Sequence, residues 1–332
     1  MASCAEQIIG VRSAAVPADV RAAVDDHTLV KTWAMRGTLH LLRADEYPMW
    51  VAAMTVKEQA ARRTTAWEKY HGISLADAQA VTDAIGEVLP GNCFTREELG
   101  AAVAAHLKRA DLAERLSSGW GSVLKPSACY GLLCFGPPRG RNVTFVSPRH
   151  WIKGTWKEPD GDVAMRTVLA RFLAAYGPAS VDDFARWWGV VPPVVRPLFK
   201  EHADLLAEVV VDGKKLWMTR EHAPALEDAL PARGAWLLPG FDPYITGSGS
   251  IRKQLVPRGF ETRVSRPGAW ISAIAVVDGG VVGVWTSETK KGRATITVEP
   301  FIPPKPAAKQ ALRVAGEAYE RLLGVPVTVA WA

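Results

Sequence analysis

Ser180-Val-Asp-Asp-Phe184, followed by Leu205-Leu-Ala-Glu-Val-Val-Val-Asp-Gly-Lys-Lys-Leu-Trp-Met218, carries the reading of the fold. A serine with an acid three residues later is a helix N-cap: the hydroxyl accepts from the first turn and the acid returns a bond to the cap. Asp212-Gly213 between two β-rich runs is a two-residue hairpin turn, because both positions must take the left-handed backbone that Asp and Gly tolerate. The pair of signals predicts helical sequence that ends in a β-hairpin.

Working outward, the same order recurs. Thr95-Arg-Glu-Glu98-Leu99 opens a helix, and Gly131-Leu-Leu-Cys-Phe-Gly-Pro-Pro-Arg139-Gly140-Arg141-Asn-Val-Thr-Phe-Val146 follows as a hairpin. Val16-Pro17-Ala-Asp19-Val20 is a weaker helix start, with proline suited to the first turn, and Leu29-Val-Lys-Thr-Trp-Ala-Met-Arg36-Gly37-Thr-Leu-His40-Leu-Leu42 is its hairpin. Helices ending in a hairpin, repeated, predict tandem winged-helix units. Unrelated α+β modules are the other reading the pattern permits.

Beyond residue 234 the chain turns β-rich and glycine-punctuated. Trp270-Ile-Ser-Ala-Ile-Ala-Val-Val277 and Val281-Val-Gly-Val-Trp285 read as strands joined through Asp278-Gly279-Gly280, forming a small sheet or partial barrel. A helix is expected over 306–323 with Leu312, Ala315, Tyr319 and Leu322 on one face, then a closing strand over 325–331. The fold class is therefore α+β: tandem winged-helix units, then a β-rich C-terminal domain. The expected division is an incomplete first unit and linker helix (1–73), a second unit (74–158), a third (159–233) and the β-rich domain (234–332).

The formal net charge of +6 is unevenly placed. Between residues 248 and 293, eight basic residues (Arg252, Lys253, Arg258, Arg263, Arg266, Lys290, Lys291, Arg293) face three acids (Glu261, Asp278, Glu288), a local excess of five. The stretch 136–157 holds Arg139, Arg141, Arg149, Lys153 and Lys157 and no acid. A polyanion surface needs such clusters, since each phosphate contact releases condensed counterions; a solvated face that aids solubility is the plain alternative. No apolar run reaches the roughly 20 residues that span a bilayer, and no basic, then apolar, leader is evident at the start. The four cysteines, Cys4, Cys93, Cys129 and Cys134, show no zinc-ligand spacing and read as buried free thiols.

Five separated segments, in order, resemble one family. They are Thr32-Trp-Ala-Met-Arg36-Gly-Thr38-Leu-His40-Leu41, Gly140-Arg-Asn-Val-Thr-Phe145, Tyr176-Gly-Pro-Ala-Ser-Val-Asp-Asp-Phe-Ala-Arg-Trp-Trp-Gly189, Leu238-Pro-Gly-Phe-Asp242-Pro-Tyr244 and Gly279-Gly-Val-Val-Gly-Val-Trp285. Together they resemble the bacterial winged-helix family that includes the interstrand-crosslink-repair DNA glycosylases (AlkZ-like), over nearly the whole chain. The resemblance implies three tandem winged helices in a C-shape, a β-rich domain completing a DNA-sized channel, and excision of bulky N7-alkylated purines with unhooking of crosslinks. It also implies a Gln-x-Gln motif that positions the hydrolytic water. That motif is absent: Gln7 and Gln59 stand isolated. Aligned with the family, Met1–Glu6 falls just after it, so either the start codon is placed too far downstream or the chain is a truncated, non-catalytic paralogue. The first is preferred, since a unit lacking its first helix would leave Val16, Val20 and Val24 uncovered at about 25 cal/mol per Å².

Candidate residues follow. Arg36, Thr38 and His40 alternate on one hairpin face; Arg36 suits a phosphate and His40 an abasic sugar or a water, against a face bonded into the core. Asp242 either stabilises an oxocarbenium-like sugar or acts as a base, or forms an Asx turn before Pro243. His40 and Asp242 are thus the catalytic candidates. DNA contacts are expected from Arg36, Thr38, Arg139, Arg141, Lys214, Lys215, Tyr244, Arg252, Lys253, Lys290, Lys291 and Arg293. Trp187 and Trp188, adjacent on a helix, cannot both face the core. No cofactor and no metal are expected, and the partner is double-stranded DNA, alkylated or crosslinked. The chain is expected to be a cytoplasmic, nucleoid-associated monomer. Three functions compete: a glycosylase, a non-enzymatic regulatory or architectural DNA-binding protein, and a winged-helix module for protein contacts.

Overall fold

The computed structural model describes residues 3–61, 65–117 and 121–332. The chain is mixed α and β and forms two compact units: Ala22–Phe172 with Trp188–Ala203, and the described residues through Arg21 with Leu173–Trp187 and Asp204–Ala332.

In the first of these, the strands Leu29–Ala34 and Thr38–Arg43 pair antiparallel around Met35-Arg36-Gly37. The helix Tyr47–Ala60 follows, with Tyr47, Val51, Ala53 and Met54 fully buried. Helices Leu75–Val88 and Arg96–Leu107 are both capped as their sequences dictate: Ser74 accepts from the Asp77 amide at 3.0 Å, and Thr95 with Glu98 closes a reciprocal capping box. The helices Asp111–Ser117 and Lys125–Cys129 lead to a three-stranded sheet in which Thr144–Val146 lies between Cys93–Thr95 and Cys134–Phe135. The strand Cys93–Thr95 is too short to read from sequence. The expected second hairpin pairs only at its base, because Pro137 and Pro138 have no amide to donate; an open loop with an Arg139–Asn142 bridge replaces a tight turn.

The core of this unit gathers Val81, Ile85, Leu89, Leu99, Val103, Leu112, Leu116 and Leu133 around three aromatic rings. Trp33 enters from the first hairpin and meets Phe135 edge-on at 4.8 Å and Phe145 at 5.8 Å. Its ring is also why residue 121 is glycine: a Cβ there would lie 2.8 Å from the indole, and its φ is +70°.

The second unit centres on a five-stranded sheet ordered Val327–Trp331, Arg293–Pro300, Gly280–Lys290, Ile274–Val277, Ala235–Leu238. All neighbours are antiparallel except the first pair, which is parallel and needs the helix Pro306–Leu323 as its crossover. Both sheet faces are covered, so successive residues enter different cores. Leu237, Ala275, Trp285, Ile296 and Val298 pack with Leu312, Tyr319 and Leu322 of the helix; Leu238, Ile274, Val276 and Val284 pack with Ile245, Val256, Val264 and Phe301. Buried polar tips find backbone acceptors: Tyr319 donates to the Leu237 carbonyl at 2.8 Å and Trp285 to that of Leu238 at 2.9 Å.

The hairpin of Leu206–Val211 and Lys214–Thr219 turns at Asp212-Gly213, with φ of 49° and 72°, as the sequence demands. Asp278-Gly279 and Lys291-Gly292 repeat that pair of left-handed residues. The single strand expected over 270–277 is broken: Trp270–Ile271 pairs with Ser265–Arg266, and the Ser272 amide bonds Val264 instead of continuing the main sheet.

The helix Cys4–Gly10, closed by a Ser3/Glu6 capping box, belongs to this unit. Gly10 sits against Leu322, and the Arg321 guanidinium collects the carbonyls of Gly10, Ser13, Ala14 and Ala15. Val20 is buried and Val16 and Val24 are half-buried, so the apolar side expected to lie open is largely covered. Of the cysteines, Cys129 and Cys134 are buried as expected, Cys93 is half-buried, and Cys4 is exposed.

Trp33→Ala removes the ring around which the first unit's core closes. It should cost about 3–5 kcal/mol, read as a lowered urea midpoint, whereas Lys31→Ala on the same strand should cost less than 1 kcal/mol.

Candidate nucleic-acid interface

The tip of the Leu29–Arg43 hairpin gathers cations from distant sequence. Arg36 is exposed, and its Cα and Cγ lie 3.0 Å from where a Cβ on Gly189 would stand. Gly37 lies against the Lys125 side chain, 3.2 Å from its Cδ by the same measure. Lys57 donates to the Met35 carbonyl and places its ammonium 5.8 Å from the centre of the Trp188 ring. His40 is half-buried opposite Thr32, and its Nδ1 lies 2.9 Å from the Thr38 carbonyl. A carbonyl only accepts, so that nitrogen carries the proton.

Burial pushes the His40 pKa down, and the positive charges of Arg36 and Lys57 push it further, against the opposing pull of the Thr38 carbonyl. The imidazole is therefore neutral near pH 7, with Nε2 as a bare acceptor. Burial likewise lowers the pKa of Lys57, helped by Arg36, and that of Lys125. The geometry combines a neutral base with cations suited to phosphates. Of the set expected to alternate on one face, Thr38 and His40 lie two apart on the second strand, whereas Arg36 belongs to the turn before it, where strand alternation does not apply. Lys57 and Lys125 were not expected. Both lie on helices whose sequence carries no motif, and only packing brings them to the hairpin.

Trp188 is buried in this unit, 6.5 Å from Trp50, while Trp187 is half-buried beside Phe184 and Tyr176 in the other. Arg139 folds back on Glu98 of the capping box and on the Cys93 carbonyl, whereas Arg141 stands exposed without an ion pair to any described residue.

In the second unit, Asp242 is 1% exposed and held on three sides. Arg12 donates to both of its oxygens at 2.8 and 2.7 Å, and the Tyr244 amide to one at 2.9 Å. This is the Asx-turn arrangement capping Pro243–Thr246, with an added guanidinium clamp that sequence did not reveal. Tyr244 donates to the Gly279 carbonyl at 2.5 Å. Arg252 is drawn inward to the Ile245 carbonyl and Ser265, and Lys215 and Lys290 pair with Glu208 and Glu288 at 2.9 and 2.8 Å on the surface. Such exposed pairs contribute little and yield readily to a phosphate. Lys214, Lys253, Lys291 and Arg293 are exposed and pair with no acid among the described residues. The basic region of the sequence thus divides into cations that hold the fold and cations that face solvent.

Among the described residues, no cluster of three His, Cys, Asp or Glu side chains could hold a metal ion, and no helix is long and apolar enough to cross a membrane.

Because the folded His40 pKa lies below its unfolded value of about 6.5, protons bind the unfolded chain first. Stability is fully present above that value and is lost as pH falls below it. The urea midpoint should therefore drop between pH 7.5 and 5.5, and His40→Asn should flatten that drop. Arg12→Ala leaves a buried carboxylate with one amide donor and should cost about 2 kcal/mol; Arg12→Lys should recover only part of the loss, since a lysine cannot make the paired bonds.

Residues 10–322 match the model of the AlkZ-like DNA glycosylase family. The chain is 38% identical over 323 residues to an interstrand DNA cross-link repair glycosylase of Streptomyces sahachiroi, covering 94% of this chain and 85% of that protein. The solved structure of the Streptomyces sahachiroi DNA glycosylase AlkZ superposes with a TM-score of 0.87 at 36% identity, over 98% of this chain and 88% of that one. With that match and the agreement in fold, the chain belongs to the AlkZ-like DNA glycosylase family.

Proposed function

We propose that the protein binds double-stranded DNA and excises bulky N7-alkylated purines, unhooking interstrand crosslinks. The observation that carries this reading is the 38% identity over nearly the whole chain to a glycosylase named for crosslink repair. In this reading the three helix–hairpin groups, ending at 29–43, 134–146 and 206–219, act as winged helices, and the sheet domain of 234–332 contributes a DNA-binding surface of its own. The exposed cations Arg36, Arg141, Lys214, Lys253, Lys291 and Arg293 meet phosphates; Arg139, Lys215 and Lys290 reach them by exchanging their surface acids; Thr38, Tyr244 and Arg252 line or brace these surfaces.

The chemistry asks little of the protein. Alkylation at N7 leaves the purine cationic, so when the C1′–N9 bond breaks the base departs neutral and needs no proton. Water then adds to C1′ and must lose one proton. The bare Nε2 of His40 is a suitable acceptor, and the cations beside it disfavour only its protonated product. Asp242, committed to Arg12, acts in this reading by holding the 238–244 loop.

Duplex DNA carrying one N7-alkylguanine, incubated with the protein and then heated in alkali, should break at that nucleotide; a crosslinked duplex should separate into strands. His40→Asn should slow excision about a hundredfold. DNA affinity should fall steeply with salt, and Lys291→Gln or Arg293→Gln should each lower the slope of log affinity against log salt by about one.

DNA binding without excision is the second reading. It needs only the exposed cations Lys214, Lys253, Lys291 and Arg293, which suit phosphates whether or not a base is excised. Salt-sensitive binding with no strand breaks would establish it.

A further inference from the structure

One surface of the sheet-containing unit is built in a way that neither the core nor the roles above explain. Trp270 is 51% exposed and Phe241 37% exposed, and their rings meet edge-to-face at 5.0 Å. Among the described residues, neither ring belongs to a buried cluster of this unit, although the next residue along from Trp270, Ile271, packs against one. Both rings stand on an unusual backbone. Phe241 has φ 61°, and Ala269, just before Trp270, has φ 59°. Non-glycine residues hold the left-handed region at a cost in free energy, and it persists only where the surroundings impose it.

Those surroundings are rigid. The Phe241 amide bonds the Ile271 carbonyl at 3.3 Å, tying the two segments together. The next residue, Asp242, is the buried carboxylate in the Arg12 clamp. Across the two-stranded ribbon, Arg266 is the register partner of Trp270, so both side chains leave the same face. Arg266 is exposed and makes no ion pair with any described residue. The indole therefore offers a π-face in water with an uncompensated guanidinium beside it.

We propose that Trp270, braced by Phe241, is a stacking platform for an unpaired nucleobase, and that Arg266 takes the adjoining phosphate. This rests on the DNA-binding reading and adds a residue-level site to it. Every base has a π-face and every nucleotide a phosphate, so one aromatic ring beside one free arginine fits a nucleotide unit lifted out of the stack. An apolar protein partner would find too little here: two partly exposed rings, with the exposed guanidinium of Arg266 beside one of them.

The test uses a duplex with one bulged 2-aminopurine and the same duplex fully paired. The wild-type protein should prefer the bulged duplex by about tenfold and quench the 2-aminopurine fluorescence. Trp270→Ala should abolish both the preference and the quenching while leaving affinity for the paired duplex unchanged. Trp270→Phe should restore most of the preference, and Arg266→Gln should lower the salt slope for the bulged duplex by about one. Thermal melts matching wild type would confirm that these exposed substitutions leave the fold intact. An equal preference in wild type and Trp270→Ala overturns the platform and leaves the DNA-binding reading standing. Failure of the wild-type protein to bind either duplex overturns both.

Discussion

The indole of Trp33 is the constraint on which the first unit depends. It leaves the first hairpin as a strand residue and finishes inside a core built from a later stretch of chain, against Phe135 and Phe145. Ring pairs of this geometry stabilise beyond the apolar area they bury. The hairpin tip, with Arg36 and His40, is thereby held to the second helix–hairpin group instead of swinging on its own turn. The glycine at 121 is the counterpart of that packing, since no Cβ fits beneath the ring.

Electrostatics in the two units follow different logic. Around His40, burial and like charge act together, so the ring stays neutral among cations that would otherwise repel it. Around Asp242, a buried charge is retained because a two-pronged guanidinium and a backbone amide satisfy it. Two candidates that looked equivalent in sequence, a histidine and an aspartate in short motifs, thus occupy opposite situations. One has a free lone pair; the other has its charge already spent on holding a loop.

The basic segment over 248–293 shows why charge counting overstates an interface. Arg252 serves the interior, bonding the Ile245 carbonyl, and Arg263 pairs with Glu299 at 2.6 Å. The glutamate lies outside the counted segment, so no local tally could include it. Arg266, Lys291 and Arg293 remain for solvent. Sequence gives the total charge of a region, but which cations are free depends on neighbours that only the fold supplies.

What the sequence by itself determined is local. The capping boxes at Thr95 and Ser180, the Asp-Gly turns, the helix over 306–323 and its buried face are all set by bonds and conformational preferences within a few residues. The five motifs that mark the family are legible for the same reason: each is a contiguous string. What only the tertiary structure decided is every meeting between distant strings: Arg12 with Asp242, Arg321 with the carbonyls of 10–15, Lys57 with the hairpin tip, and Trp270 with Phe241. These depend on the packing of whole elements, and a side chain such as Lys57, on a helix with no motif around it, bears no local mark of the partner it will meet.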